Sequence, residues 1–541
     1  MMATIVKQHD KRVGITYAYE SASYWDKEKQ QSRSKRRLIG IVDRVTGEIV
    51  PTTRKKRATN KVSDNVPPDK SIDESGLRAE RKFYGATYLL DCIGKQTGLV
   101  DDLSVCFPDC YKQVLSIAYY LILEDRNPLC RFPKWSRTHV HPHGDIIASQ
   151  RSSELFAGIT ETQRMHFFRL QGKRRVEKEY WAYDTTSITS YSDLIVGVRR
   201  GKNKDHDPLP QINLALLQGG ESDLPFYYRR LPGNISDVST VQQVLSDMEF
   251  LGYTKIKLTM DRGFYSAKNI NGLYNERLKF IMGAKLSPKY IRCELDKIRE
   301  DLRSWENYLS DAGIHGMRVP FQWVYKRYRP NKKDLIDESR RMYLYFYFNP
   351  TKAIDEELDF AKLIHGLHHE LTEGKRETKN QALYSQYFDV KTTPVRGRKV
   401  IAKQKALDEA RKDFGYFVLI GNEPLSPERV LELYRNKDVV EKAFDNIKDR
   451  LDCRRLNVSS DLTLDGKLFV MFVALIFIAF LHKAMIDAHL YIKHTMHELL
   501  DELEMIERFE RQGHRPQFGE VTVKQSDIYK ALGFTPPKSS L

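Results

Sequence analysis

Tyr180-Trp181-Ala182-Tyr183-Asp184-Thr185 is aromatic and apolar until it meets a carboxylate. The stretch reads as a strand that delivers an acid at its end, and the elements on its C-terminal side decide the fold. Gln211 to Leu217 is a second apolar strand, and Phe226-Tyr227-Tyr228 leads into a third that ends at Leu231-Pro232-Gly233-Asn234. Asp237 is placed to cap a helix running to Phe250. Lys255 to Met260 alternates with period two and stops at Asp261-Arg262-Gly263. A helix over Ala267 to Leu278 and a strand over Phe280 to Gly283 complete the run. Three strands, helix, strand, helix, strand is the order of a mixed-sheet α/β core, here over residues 179–285.

Outward from this core the pattern breaks and then resumes. Residues 286–412 are highly charged, hold an aromatic strand-like run at Tyr343 to Phe348, and read as an insertion domain. The core resumes over 413–485, with a strand at Gly415 to Ile420 and a helix opened by Ser426 as N-cap and Pro427 in its first turn. Residues 81–178 are mostly helical and are expected to bind DNA. Residues 1–80 form a basic arm with a hairpin, Leu38 to Val42 against Glu48 to Val50, turning through Arg44 to Gly47. The tail, 486–541, is expected to carry one more amphipathic helix, through Arg511.

Composition narrows the function. Lys plus Arg is 88 and Asp plus Glu is 72 in 541 residues, a net charge of +16. An excess of that size suits a polyanion, and nucleic acid leads the candidates. The first 80 residues alone hold 17 Lys and Arg against 11 Asp and Glu, including Arg33-Ser34-Lys35-Arg36-Arg37 and Arg54-Lys55-Lys56-Arg57. The N-terminus has no apolar signal core. The longest apolar run, Leu468 to Leu481, is too short to span a bilayer and fits a buried core helix, so no membrane partner is expected. Six cysteines at irregular spacing make no disulfide framework, which points to a reducing cytoplasm. Cys106, Cys110, Cys130, His139, His141 and His143 match no zinc spacing and are expected to be buried thiols and loop histidines.

Two acids at strand ends, Asp184 and Asp261, stand where open α/β sheets build their sites. The helix after Ser426 supplies a third. At 100° per residue, Tyr434, Lys437, Glu441 and Lys448 fall within about 60° of one another, beside an apolar face of Val440, Ala443, Phe444 and Ile447. Three carboxylates suit a pair of hard divalent cations, which would activate a water or a 3′-hydroxyl for phosphoryl displacement. No Gly-rich nucleotide loop is present, so the phosphates of DNA are the better substrate. A base unstacked at a cut end needs an aromatic platform. Trp305 and Trp323 lie in the inserted segment, and Trp323, after Val319-Pro320-Phe321, is taken as the DNA contact.

Tyr434, two residues, Lys437, three residues, Glu441, six residues, Lys448 resembles the Tyr-Arg-Glu-Lys signature of bacterial insertion-sequence transposases with an Asp-Asp-Glu site. Tyr183-Asp184-Thr185-Thr186-Ser187 is similar to their first-Asp motif. Pro232-Gly233-Asn234 with Ser236-Asp237, then Asp261-Arg262-Gly263-Phe264 and Asn269, is similar to the stretch around the second. Tyr24-Trp25-Asp26-Lys27 and Ile39-Gly40 with Thr46-Gly47-Glu48 resemble the opening of long members. The resemblance implies an RNase H-like core in which Asp184, Asp261 and Glu441 hold two Mg²⁺ ions, with Mn²⁺ as substitute. It implies that Tyr434, Lys437, Lys448 and Arg262 contact DNA, and that a homodimer pairs two transposon ends on double-stranded DNA. The chain departs from the signature at Lys437, where arginine is usual and a two-pronged donor is lost. The implied activity is cutting at terminal inverted repeats and joining to target DNA, in a bacterial cytoplasm at the nucleoid. The alternatives are a nuclease or resolvase on the same fold, separated by a strand-transfer assay, and a non-catalytic DNA-binding derivative, separated by metal-dependent nicking.

Overall fold

The structure, a computed structural model, describes the chain except residues 1–3, 11–14, 27–30, 43–47, 51–78, 125–126, 175–178, 193, 206, 254–255, 329–334, 394–396, 452–454, 457, 459, 512–513 and 539–541. Two compact units result, Met1–Glu74 and Ser75–Leu541. The first is a four-stranded antiparallel sheet, β1 (Thr4–Asp10), β2 (Ile15–Asp26), β3 (Gln31–Val42) and β4 (Ile49–Val50), in sequence order. The expected pairing of Leu38–Val42 with Glu48–Val50 is the β3–β4 contact, Ile41 opposite Val50. The turn of that hairpin and the basic run at 54–57 lie outside the described residues.

The second unit opens with β5 (Ala79–Phe83) and six helices: α1 (Gly85–Gln96), α2 (Leu99–Cys106), α3 (Tyr111–Leu123), α4 (Phe132–Thr138), α5 (Ser149–Gly158) and α6 (Glu161–Lys173). The single helix expected over 152–170 is two, because Thr160 starts α6 with a capping box to Gln163. The core strands come next: β6 (Trp181–Ser190), β7 (Gln211–Gly219) and β8 (Pro225–Pro232), then α7 (Asp237–Leu251), β9 (Lys257–Met260), α8 (Ala267–Asn275) and β10 (Lys279–Ala284). After α9 (Lys289–Leu302) come β11 (Tyr308–Leu309), β12 (Ile314–Tyr328) and β13 (Leu335–Phe348).

These strands correct the expected shape of 286–412. β12 and β13 form a long hairpin, and β13 pairs with β16 (Tyr416–Gly421), so Tyr343–Phe348 is part of the main sheet. Its buried aromatic face, Tyr345 and Tyr347, is what a central strand needs and an independent lobe would not. The part that stands off the sheet lies between β13 and β16: α10 (Pro350–Glu373), α11 (Gln381–Tyr387), the β14 (Phe388–Thr393) and β15 (Gly397–Ala402) pair, and α12 (Gln404–Arg411). This group has its own apolar cluster, including Phe360, Leu367, Leu371, Tyr384 and Leu407.

The sheet order is β11-β12-β13-β16-β10-β9-β6-β7-β8, with β6, β9 and β10 parallel to one another. β7 is buried along its whole length and β6 everywhere but at Asp184, as strands covered on both faces must be. α13 (Pro427–Arg435) covers one face through Val430, Leu431 and Leu433, against Ile281 and Leu419. α14 (Asp438–Asp445) comes after it, then β17 (Arg455–Leu456), which pairs with β6.

The apolar run near 468 lies in α15 (Asp461–Asp487), which is 27 residues long because polar turns extend both ends. By length and composition it could cross a membrane, but 72 % of its apolar window is buried inside the fold. Phe469 packs on Phe107 and Phe167, Phe472 on Phe168, and Phe477 on Tyr119, so α15 is the axis that the N-terminal helices surround. The tail is not the one helix expected. α16 (Met496–Glu504) is followed by β18 (Glu507–Arg511), β19 (Gln517–Phe518) and α17 (Val523–Ala531), and β18 pairs with β5. Glu507-Arg508-Phe509-Glu510-Arg511 carries no period of its own, and its pairing with β5 makes it a strand.

Candidate active site

Asp184 is not at the end of its strand, since β6 runs on to Ser190. It stands instead where the parallel neighbour stops. The register Tyr183 opposite Met260 puts Asp184 level with Asp261, the first residue after β9. The two acids therefore sit side by side because one strand outlasts the other. Below them Tyr183 is buried, its hydroxyl donating to Thr240 of α7 at 2.8 Å.

Their surroundings push the two carboxyls apart. Burial raises Asp184 above the usual carboxylate range, aided by Asp261 and opposed by Lys204 and the Thr185 amide. Lys204 Nζ lies 3.2 Å from Asp184 Oδ1, and the Thr185 amide donates to the same oxygen at 2.7 Å. For Asp261, burial acts upward, but the Arg262 amide, the Tyr434 hydroxyl and Lys437 together hold it below the usual range. Tyr434 donates to Asp261 Oδ1 at 2.8 Å, and burial beside that acid keeps the phenol protonated. Gly283 makes the approach possible: a Cβ there would meet the Tyr434 hydroxyl at 2.7 Å and the Arg262 nitrogen at 2.9 Å.

The expected polar stripe is only partly kept. Tyr434 lies in the last turn of α13 and Glu441 in α14, and between them the Lys437 amide donates to Tyr434 O and the Val439 amide to Asn436 O, each three residues back at 3.3 Å. This turn, and a π-helical turn at Asn446–Arg450, change the rotation per residue and break a constant 100° step. Lys437 stays near Tyr434, over its ring at 5.4 Å. Its Nζ lies 3.9 Å from Asp261, 3.5 Å from Asp438 and 3.3 Å from Glu441. Burial disfavours its charge, but Asp261, Glu441 and Asp438 overcome this and raise its pKa. Glu441 itself is 60 % exposed and joins Asp261 through this lysine. Val440, Ala443, Phe444 and Ile447 are buried as the helical pattern requires.

Lys448 and Trp323 sit differently from what their expected DNA contacts would need. The π-helical turn carries Lys448 inward, where it is 7 % exposed and binds both oxygens of Asp205 at 2.6 and 2.8 Å. Trp323 is half-buried on β12, donates from Nε1 to Asn271 at 2.8 Å and meets Tyr290 edge-on. Trp305, by contrast, is 81 % exposed. Arg262 is exposed and rims a cleft of about 850 Å³ that Asp261, Lys285, Lys352, Phe360 and Tyr434 also line. The cleft lies between the sheet and the α10–α12 group.

The donor set is carboxylate oxygen throughout, which fits a hard divalent cation. Among the described residues no three acidic, His or Cys side chains converge tightly enough to hold a metal ion. Lys204 binds Asp184, and Lys437 lies between Asp261 and Glu441. The histidines and cysteines are elsewhere: His139 binds Glu504 at 2.5 Å and His141 binds Ser116 at 3.0 Å, both beside Trp135. Lys204 and Asp205 belong to no motif in the sequence. The available signal was the connection from Ser190 to Gln211, far longer than two antiparallel neighbours need.

Residues 182–477, more than half the chain, match the family described as the transposase DDE domain, a span that holds Asp184, Asp261 and Glu441. No curated protein matches the chain. One similar solved structure is the piggyBac transposase synaptic complex with hairpin DNA, 10 % identical with a TM-score of 0.31, over 66 % of this chain and 57 % of that one. The chain thus spans little more than half the length of that protein. On the family match, the chain belongs to the DDE-domain transposases.

Proposed function

We propose that the chain is an insertion-sequence transposase of the Tyr-Arg-Glu-Lys group, with an RNase H-like core, that cuts DNA at terminal inverted repeats and joins the ends to target DNA. The observation that carries this reading is the level pair Asp184 and Asp261 on adjacent parallel strands, with Tyr434 fixed on Asp261. The core strand order β8-β7-β6-β9-β10, with β6, β9 and β10 parallel, supports it. On this reading Asp184, Asp261 and Glu441 would hold two Mg²⁺ ions, or Mn²⁺ in their place. Such ions activate the attacking oxygen and stabilise the leaving one.

The chain's own residues set the geometry. Tyr434 orients Asp261, Lys437 spans the gap to Glu441, and the exposed Arg262 brings positive charge to the cleft for a phosphate. The excess charge of +16 supplies sequence-independent affinity for DNA. A homodimer holding two ends, in a bacterial cytoplasm, completes the proposal.

Metal-dependent nicking and strand transfer on DNA carrying the element's ends provide the test. Asp184→Asn, Asp261→Asn and Glu441→Gln are each expected to abolish both steps and to leave end binding within about twofold, since phosphate contacts dominate affinity. A Glu441→Gln protein that nicks at the parent rate would remove Glu441 from the site. Nicking without joining would make the chain a nuclease instead.

A further inference from the structure

The connection that carries Lys204 and Asp205 has no role in the proposed chemistry, nor does the Pro232-Gly233-Asn234 motif. The structure joins them. Gly201 packs so closely on this motif that a Cβ would stand 2.0 Å from the Gly233 carbonyl oxygen. Gln211 Nε2 donates to both Lys202 O and Gly233 O, at 3.2 and 3.0 Å. Asn203 Oδ1 accepts the amides of Asp205 and Asp207, at 2.7 and 3.2 Å, which turns the loop. The loop is thus built on a fixed floor, and it presents two adjacent charges to different partners. Lys204 binds Asp184 and the Thr185 carbonyl, while Asp205 binds Lys448.

We propose that Lys204 is a positioning residue that acts as the internal counter-ion of Asp184, and that a divalent cation binds Asp184 in competition with it. The inference rests on Asp184 being a metal ligand. An ammonium 3.2 Å from one oxygen of the carboxylate and a divalent ion on the same group repel at that range, so each weakens the other's hold on Asp184. The lysine therefore keeps the acid oriented before the metal arrives and lowers the apparent metal affinity by competition. Asp205 on the buried Lys448 is the second hold of the same loop, so weakening it acts in the same direction.

Mn²⁺ binding to the full chain without DNA, followed by electron paramagnetic resonance, reads this directly. Lys204→Met is expected to bind Mn²⁺ roughly two- to fivefold more tightly than the parent, the range of a partly exposed ion pair. Lys204→Arg is expected to restore the parent value, and Asp205→Asn to give a smaller gain. Asp184→Asn is expected to lose the binding. Equal or weaker affinity in Lys204→Met, with binding still lost in Asp184→Asn, overturns the counter-ion role and leaves the metal site standing. Parent-like binding in Asp184→Asn overturns both.

Discussion

Tyr434 and Gly283 are one device made of two residues: a phenol that fixes Asp261 and a bare backbone that lets it through. Tyr434→Phe deletes a hydrogen bond to a charged acceptor, worth about 1.5–3 kcal/mol. Nicking is expected to slow at least about tenfold, with end binding and melting temperature little changed. Gly283→Ala pushes the same hydroxyl away, so the double variant should cost less than the sum of the two, which a double-mutant cycle of nicking rates measures. His141 makes a second prediction. Burial first, then the nearby charges of His143 and Lys82, lower its pKa to about 4. A histidine freed by unfolding regains a value near 6.5, so the unfolded chain binds the extra proton between these values. Stability is then full above about pH 6.5 and falls as the pH drops toward 4. His141→Gln should flatten that slope in denaturant titrations at pH 5 and pH 7. The two aspartates were legible at this scale because each ends an apolar or alternating run. Gly283 and Lys204 were not, because their importance comes from what lies across the sheet or across a long connection.

Elements were legible where one period dominates. The strands over 180–283 and the N-cap at Ser426 follow the sequence pattern closely. The pattern fails where helical rotation changes, as between Asn436 and Lys437 and again at Asn446–Arg450, and there the inferred place of Lys448 fails with it. It also fails for Glu507–Arg511, whose pairing partner, β5, lies at the other end of the unit. α15 offers the test of packing. Gly466 lies so close to α5 that a Cβ would meet the Phe156 carbonyl oxygen at 2.0 Å, and backbone cannot yield as a side-chain tip can. Gly466→Ala is expected to destabilise the second unit by about 1–3 kcal/mol or more, seen as a drop of several degrees in melting temperature. Unchanged melting would mean that the two helices can move apart at little cost.

At the scale of the whole molecule, residues 1–74 and 75–541 each hold their own internal contacts. Deleting 1–74 is expected to leave the remainder a cooperative melting transition of its own, since its core is internal. If the basic arm grips DNA, the same deletion should weaken end binding and flatten its dependence on salt, since fewer counterions are released. A parent-like salt slope would show that the arm's charge serves solubility alone. The alternation of strand and helix made an α/β core legible from the sequence, yet the place of β12 and β13 in its sheet was hidden, because periodicity says nothing about which strand a hairpin will join. The closure of the second unit by β5 and β18 was hidden for the same reason, and it bears on how the protein is made. α1 and α3 leave the ribosome hundreds of residues before α15 and α16, the helices that cover them. At roughly 5–20 residues per second that wait lasts tens of seconds, with apolar helix faces open throughout. Synthesis through α16 is therefore a checkpoint in itself. A polypeptide stopped short of Glu504 lacks part of the cover of α1 and α3, and those apolar faces stay open to proteases and chaperones.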